Sequence, residues 1–175
     1  MSLSEMLLPE FDQEMANTRK VLERVPEEKM EWRPHEKSMT LGRLAGHLAE
    51  LPSWGASILN QESIDLTESM QKGERGFSAQ SSKDLLLQFD RNAAQAREAL
   101  AKASDQHLNQ NWCLYLGGKA IISMPRLQVI RSSFLNHLIH HRGQLEVYLR
   151  LNNVPLPSLY GPSADEGTPF GANKS

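Results

Sequence analysis

Apolar residues recur at intervals of three and four along four stretches of this chain, the spacing that gathers them on one face of an α-helix. Leu8, Phe11, Met15, Thr18, Leu22 and Val25 form the first stripe, and Pro26 ends it. The second opens at Thr40, whose hydroxyl suits an N-cap. It continues on Leu41, Leu44, Leu48 and Leu51, with His47 beside Leu44 and Leu48, and Pro52 predicts a kink or the end of its first part. Ser81, with Asp84 three residues on, marks the start of the third, on Leu86, Phe89, Ala93, Ala96, Leu100 and Ala103. The fourth begins near Pro125, tolerated in a first helical turn, and runs to about Leu151. It carries two adjacent stripes: Leu135, Leu138, Leu145 and Leu149, and next to them Phe134, His137, His141, Gln144 and Tyr148.

Four such helices predict an all-α fold, a four-helix bundle. The connections at 26–39 and 60–80 are long for a simple up-and-down arrangement and predict crossovers, with a short helix near Ile64–Met70. Residues 110–123 depart from the helical period. Trp112, Leu114 and Leu116 alternate, Gly117-Gly118 supplies a tight turn, and a β-branched run follows, so a small β-hairpin is expected between helices three and four. Beyond Leu151, Pro155, Pro157, Pro162 and Pro169 exclude a regular helix and predict an irregular tail over 151–175. Val154, Leu156, Leu159 and Tyr160 should pack that tail on the bundle, with residues 171–175 frayed. There is no internal repeat, and 175 residues suit one domain, 1–175.

Composition narrows the function classes. With 39% hydrophobic and 23% charged residues the chain reads as an ordinary globule. No apolar run approaches the roughly 18 residues of a spanning helix, so no membrane role is expected. A net charge of −2 offers no basic footprint for nucleic acid. Met-Ser-Leu-Ser-Glu-Met-Leu-Leu carries an acid and no basic run, unlike a secretory signal. Cys113 is the only cysteine, which fits a reducing cytoplasm.

The chemistry lies in the histidines. His137 and His141, four apart on one helix, have Cβ atoms about 5–6 Å from each other. Both can reach one metal ion at about 2.0–2.1 Å. They flank the leucine stripe, and a buried imidazole needs a hydrogen-bond or metal partner. His47, inward on another helix, supplies a third ligand and leaves one position open. Three imidazoles suit zinc first, with nickel, iron and copper compatible by softness. The helices lack the Glu-x-x-His pairs of di-iron bundles and the His-Glu-x-x-His of zincin proteases. Neutral ligands leave the full +2 charge on the ion, enough to activate either water or a thiol. Hydrolysis, thiol transfer and a non-catalytic metal-stabilised bundle therefore all remain open at this point. With reference histidine pKa values near 6.5, metal release is expected as pH falls below about 6. No catalytic acid or base can be named.

The other polar and aromatic residues read more plainly. Glu50, one turn after His47, reads first as a solvated surface residue and otherwise as a partner of His47 or a fourth ligand. Cys113 reads as a buried small hydrophobe. Arg142 reads as an anion contact or a surface cap. Trp32, Trp54 and Tyr148 read as core. His35, His107 and His140 read as exposed.

The string Asn136-His-Leu-Ile-His-His-Arg-Gly-Gln-Leu145 resembles the signature of the DinB/YfiT-like (damage-inducible) family of metalloenzymes. Ser38-Met-Thr-Leu-Gly-Arg-Leu-Ala-Gly-His47-Leu resembles the family's upstream histidine segment, and Leu159-Tyr-Gly-Pro-Ser-Ala-Asp-Glu166 its tail. The resemblance implies a crossover four-helix bundle, often dimeric, with a metal on His47, His137 and His141. Relatives include bacillithiol transferases and a mycothiol-dependent isomerase. It therefore implies a thiol S-transferase acting on small electrophiles, a homodimer whose small-molecule partners are that electrophile and a low-molecular-weight thiol.

Overall fold

A computed structural model describes residues 1–73, 76–79 and 81–167. Helix α1 (Leu3–Leu22) starts earlier than its apolar stripe predicts, because Ser2 and Glu5 form a capping box: the Ser2 hydroxyl accepts from the Glu5 N–H, and the Glu5 carboxylate accepts from Ser2 N–H. The early start brings Leu7 rather than Leu8 to the core, with Phe11, Met15, Thr18 and Leu22 following as expected. Helix α2 (Leu41–Asn60) is capped by Thr40, whose hydroxyl accepts from Arg43 N–H, and continues through Pro52 instead of ending there.

The long connection after α2 holds strand β1 (Ser63–Asp65) and the short helix α3 (Thr67–Gln71). Helix α4 (Ser82–Lys102) has the expected cap, Ser81 accepting from Asp84 N–H at 3.0 Å. Its inner face is turned by one residue from the predicted stripe. Leu85, Phe89, Asn92, Ala96 and Leu100 are buried, and Leu86, Ala93 and Ala103 lie at the margin. The short helix α5 (Asp105–Asn109) then leads into β2 (Asn111–Leu116) and β3 (Lys119–Pro125). Those two strands form the expected antiparallel hairpin, Gly117 and Gly118 taking φ of 58° and 75°, as a tight hairpin turn demands. The sequence pattern did not foretell the third strand: β1 pairs with β2 in parallel, Ile64 opposite Leu114.

From Pro125 the chain is helical without a break. Helix α6 (Arg126–Val129) passes into a π-helical segment (Ile130–Leu135), where Asn136 N–H donates to the Arg131 carbonyl five residues back, and then into α7 (Asn136–Leu151). The aromatic ring of Phe134 seats against Gly55 of α2, where an added Cβ would come within 2.7 Å of it.

Four long helical segments supply the core: α2 packs on α4, α4 on α1, α1 on α7 and α7 on α2. Phe11, Phe89, Phe134 and the leucines of α2 and α7 fill the centre. The fold is mostly helical, as expected, and carries a three-stranded sheet where a two-stranded hairpin was expected, with short helices added to the long ones, so it is not a strict four-helix bundle. Among the described residues no helix is long and apolar enough to cross a membrane.

The tail after α7 is irregular, as its prolines predict, and it is tied down by ion pairs. Asp165 pairs with Arg150 at 2.5 Å and accepts from Leu156 N–H, while Glu166 pairs with Arg24 at 2.7 Å and accepts from Ser158 N–H. Tyr160 is the anchor predicted for this tail, through its hydroxyl and through its ring, whose centroid lies 5.2 Å from the Arg142 guanidinium carbon. The ring is largely exposed, and the hydroxyl donates to Glu14 at 2.6 Å and meets Arg142. Arg142 is neither a surface cap nor placed to meet an anion from solvent: only 1% exposed, it pairs with the buried Glu14 carboxylate at 2.7 Å and donates to Thr18. Residues 168–175, which include Pro169 and the frayed end expected at 171–175, lie outside the described residues.

Candidate metal centre

The three histidines come together. His47 is presented by α2, and His137 and His141 by the first two turns of α7. One ring nitrogen from each lies within 4.8 Å of the others, a group able to hold a metal ion. The nitrogens that converge are Nε2: His141 Nε2 is 2.8 Å from His137 Nε2, which is 3.4 Å from His47 Nε2. Two nitrogens bound to one ion at about 2.05 Å stand about 2.9 Å apart at a right angle and about 3.4 Å apart at a tetrahedral one. Both observed separations fall on that scale, so the rings need little movement to share an ion.

The outward nitrogens explain why a cation belongs there. His141 Nδ1 is 2.7 Å from the Gln144 side-chain oxygen, a pure acceptor, so Nδ1 carries the proton. The Ser133 backbone carbonyl, one turn back in the π-helical segment, favours a proton on the His137 ring. With its proton on Nδ1, His141 presents an Nε2 lone pair 2.8 Å from His137 Nε2, a position suited to a proton or a cation. The Gln144 bond fixes tautomer and ring orientation, as such bonds do for histidines that bind metals.

The rings are also kept neutral. Burial pushes the His141 pKa down from 6.5 to about 4, and the neighbouring histidines add to the effect against the opposing pull of Gln144. Burial and the charge of His47 lower His137 in the same direction, against the Ser133 carbonyl. A neutral imidazole is the form that ligates.

Glu50, read from sequence first as a solvated residue, belongs to the site. Its carboxylate pairs with Arg43 at 3.1 Å, accepts from Phe77 N–H, and lies 3.9 Å from His47 Nδ1. Burial alone would raise its pKa, but His47, Phe77 N–H and Arg43 outweigh burial and hold it below the usual value, as a carboxylate. Arg43 also donates to the Phe77 carbonyl, so the segment around Phe77 is fastened over α2 by this pair. Gly46 is required there, because a Cβ would overlap the Phe77 carbonyl oxygen.

Two cavities reach the histidines. One of about 440 Å³ borders His47 and is lined by Arg43, Glu50, Trp54, Ser69 and Met70. The other, about 280 Å³, borders His137 and is walled mostly by apolar side chains, Trp54 among them. Trp54 is therefore a pocket residue and not core. Trp32 and Tyr148 do pack on each other, edge to face at 5.6 Å.

Of the remaining candidates, His140 is exposed and His35 lies on the surface, as expected. His107 is half-buried and bonded to the Leu59 carbonyl at 2.7 Å. Cys113 is partly exposed beside Ser123 and is not the buried hydrophobe expected of it. Sequence reasoning gave no role to Gln144, whose part in the site depends on side-chain direction. The available signal was its spacing, three residues after His141.

Comparison with known proteins gives the relatives of this chain. The sequence profile described as the DinB family matches residues 1–174. The uncharacterised protein YrdA of Bacillus subtilis is 26% identical over 165 residues, covering 94% of this chain and 92% of its own length. Among solved structures, a DinB-like protein from Bacillus cereus superposes with a TM-score of 0.67 at 22% identity, covering 89% of this chain and 97% of that one. The DinB-like protein YjoA of Bacillus subtilis gives 0.66 at 17% identity, covering 88% and 97%. At those identities the two structures speak to the fold alone.

Proposed function

The chain belongs to the DinB family, and on that premise we propose that it is a metal-dependent enzyme: His47, His137 and His141 hold one divalent cation, zinc in the first instance, and a small thiol is transferred onto an electrophilic carbon beside it. The observation that carries this reading is the convergence of three imidazole nitrogens, with one cavity against His47 and another against His137. When bound, the cation supplies a concentrated positive charge that lowers the pKa of a thiol or a water at its open side.

The chain's own residues do the rest. Gln144 holds the His141 ring in the tautomer that presents Nε2 to an ion. The Arg43–Glu50 pair fixes the segment around Phe77 beside His47. In the transfer, the thiol proton passes to solvent, a sulfur–carbon bond forms, and the leaving group departs with the electron pair of the broken bond. No side chain has to take a proton. This matters because Glu50, the carboxylate in the cleft, already accepts from Arg43 and Phe77 N–H and is poorly placed to serve as the general base that hydrolysis would use. In the same reading the chain acts as one domain, as a homodimer for which Val147 and Leu151 offer exposed apolar surface on α7, in a reducing cytoplasm that suits its lone cysteine.

Metal-loaded protein incubated with a panel of low-molecular-weight thiols and a chromogenic electrophile tests the proposal. Turnover should need both metal and thiol and should be lost in His141→Ala. Turnover without thiol, or activity untouched by His141→Ala, would overturn it.

A further inference from the structure

The two cavities differ in chemistry, and each borders one histidine of the cluster, His47 or His137. The cavity against His47 presents Arg43, Glu50 and Ser69. The cavity against His137 is built from Trp54, Ile58, Leu114 and Ile122, and among the residues lining it none is an acid, a lysine or an arginine; its few polar groups, Ser133 among them, sit beside His137. Its volume of about 280 Å³ exceeds the roughly 150 Å³ of an apolar cavity that holds benzene, so a substituted aromatic ring fits. Trp54 belongs to both walls.

We propose that the cavity against His137 binds the uncharged hydrocarbon body of the electrophile, a single substituted ring, while the polar cavity against His47 takes the thiol. This deepens the transferase reading and rests on it for the word electrophile. The pocket assignment itself rests on lining and volume. A charged group on the ring would have to leave water for a wall that offers it no counter-charge, so neutral and anionic versions of one ring should be sharply distinguished.

The test uses metal-free protein with 4-nitrotoluene and 4-nitrobenzoate as probes. Both quench indole fluorescence, and Trp54 and Trp112 line the cavity while Trp32 lies apart against Tyr148. Saturable quenching by 4-nitrotoluene, with 4-nitrobenzoate at least about tenfold weaker, is the expected result. Ser133→Phe, which fills the cavity from its partly exposed rim, should weaken 4-nitrotoluene by at least about tenfold. Should that variant fail to fold, Ile122→Trp fills the cavity from the sheet side. Equal affinity for the two probes, or quenching indifferent to a folded filling variant, overturns the assignment. In turnover, Ile122→Trp should raise KM for a neutral benzyl halide and leave KM for the thiol unchanged. An unchanged benzyl halide KM overturns the pocket but leaves the transferase standing. Selective ring binding without any thiol turnover supports the pocket and overturns the transferase alone.

Discussion

Replacing Gln144 with leucine should weaken zinc binding about 10- to 100-fold, the usual cost of losing an outer partner of a metal-bound histidine. That is about 1.4–2.7 kcal/mol. The bond at stake is His141 Nδ1–H to the Gln144 side-chain oxygen, 2.7 Å long. Without it the ring is free to rotate or to move its proton to Nε2, and either change removes a lone pair from the cluster. Gln144 is exposed, so leucine costs no core packing, and apoprotein stability should stay within about 0.5 kcal/mol of wild type. Gln144→Glu should move affinity the other way, because a carboxylate accepts the same bond about twice as strongly and raises the basicity of the ring. Competition of each apoprotein against a chromogenic zinc chelator at pH 7.5 gives the dissociation constants, and urea unfolding of the same samples controls for the fold. Wild-type affinity in both variants would refute the assignment of Nε2 as the ligating atom.

Other consequences are open to measurement. Glu14→Ala leaves the Arg142 guanidinium, 1% exposed, without its 2.7 Å partner and should cost about 3–5 kcal/mol in urea unfolding; a loss under about 1 kcal/mol would mean that the pair is not the tail's buried anchor. For His141 the unfolded chain takes up a proton below its ordinary pKa of 6.5, whereas the folded chain does so only near 4. This part of apoprotein stability is therefore complete above pH 6.5 and declines as pH falls toward 4, by at most about 3 kcal/mol, and His141→Gln should flatten that slope. The same shift moves proton-driven metal release below the pH of about 6 that free histidine predicts, which a chelator titration against pH would show. Gly46→Ala should push the Phe77 carbonyl off α2, seen as faster amide exchange at Phe77 and a weaker Arg43–Glu50 pair, with the core of α2 still protected.

Much of this molecule is legible in its sequence because local rules and global packing agree. The Thr40 and Ser81 caps, the Gly117-Gly118 turn and the leucines of α7 all act through near neighbours, and each lies where its spacing predicts. The three histidines were legible for the same reason: His137 and His141 share a helix face, and His47 lies inward on a second apolar stripe. What stayed hidden depends on partners distant in the chain. Strand β1 exists only because β2 pairs with it from some fifty residues away. Glu50 looks like any helix-surface acid until the Phe77 segment folds over it. Arg142 reads as a surface residue until Tyr160 and Glu14, from the two ends of the chain, close around it. The π-helical segment, which sets the phase of α7 and faces the Ser133 carbonyl toward His137, has no periodic signature of its own.

The central claim is that three imidazoles share one cation. Its most direct test is the metal-to-chain ratio of protein purified without added metal, loaded with zinc and freed of excess, in wild type and in His47→Ala, His137→Ala and His141→Ala. The account predicts one zinc per chain in the wild type and well below one in each folded variant. A wild-type ratio near zero, or a ratio of one that survives all three substitutions, would contradict it.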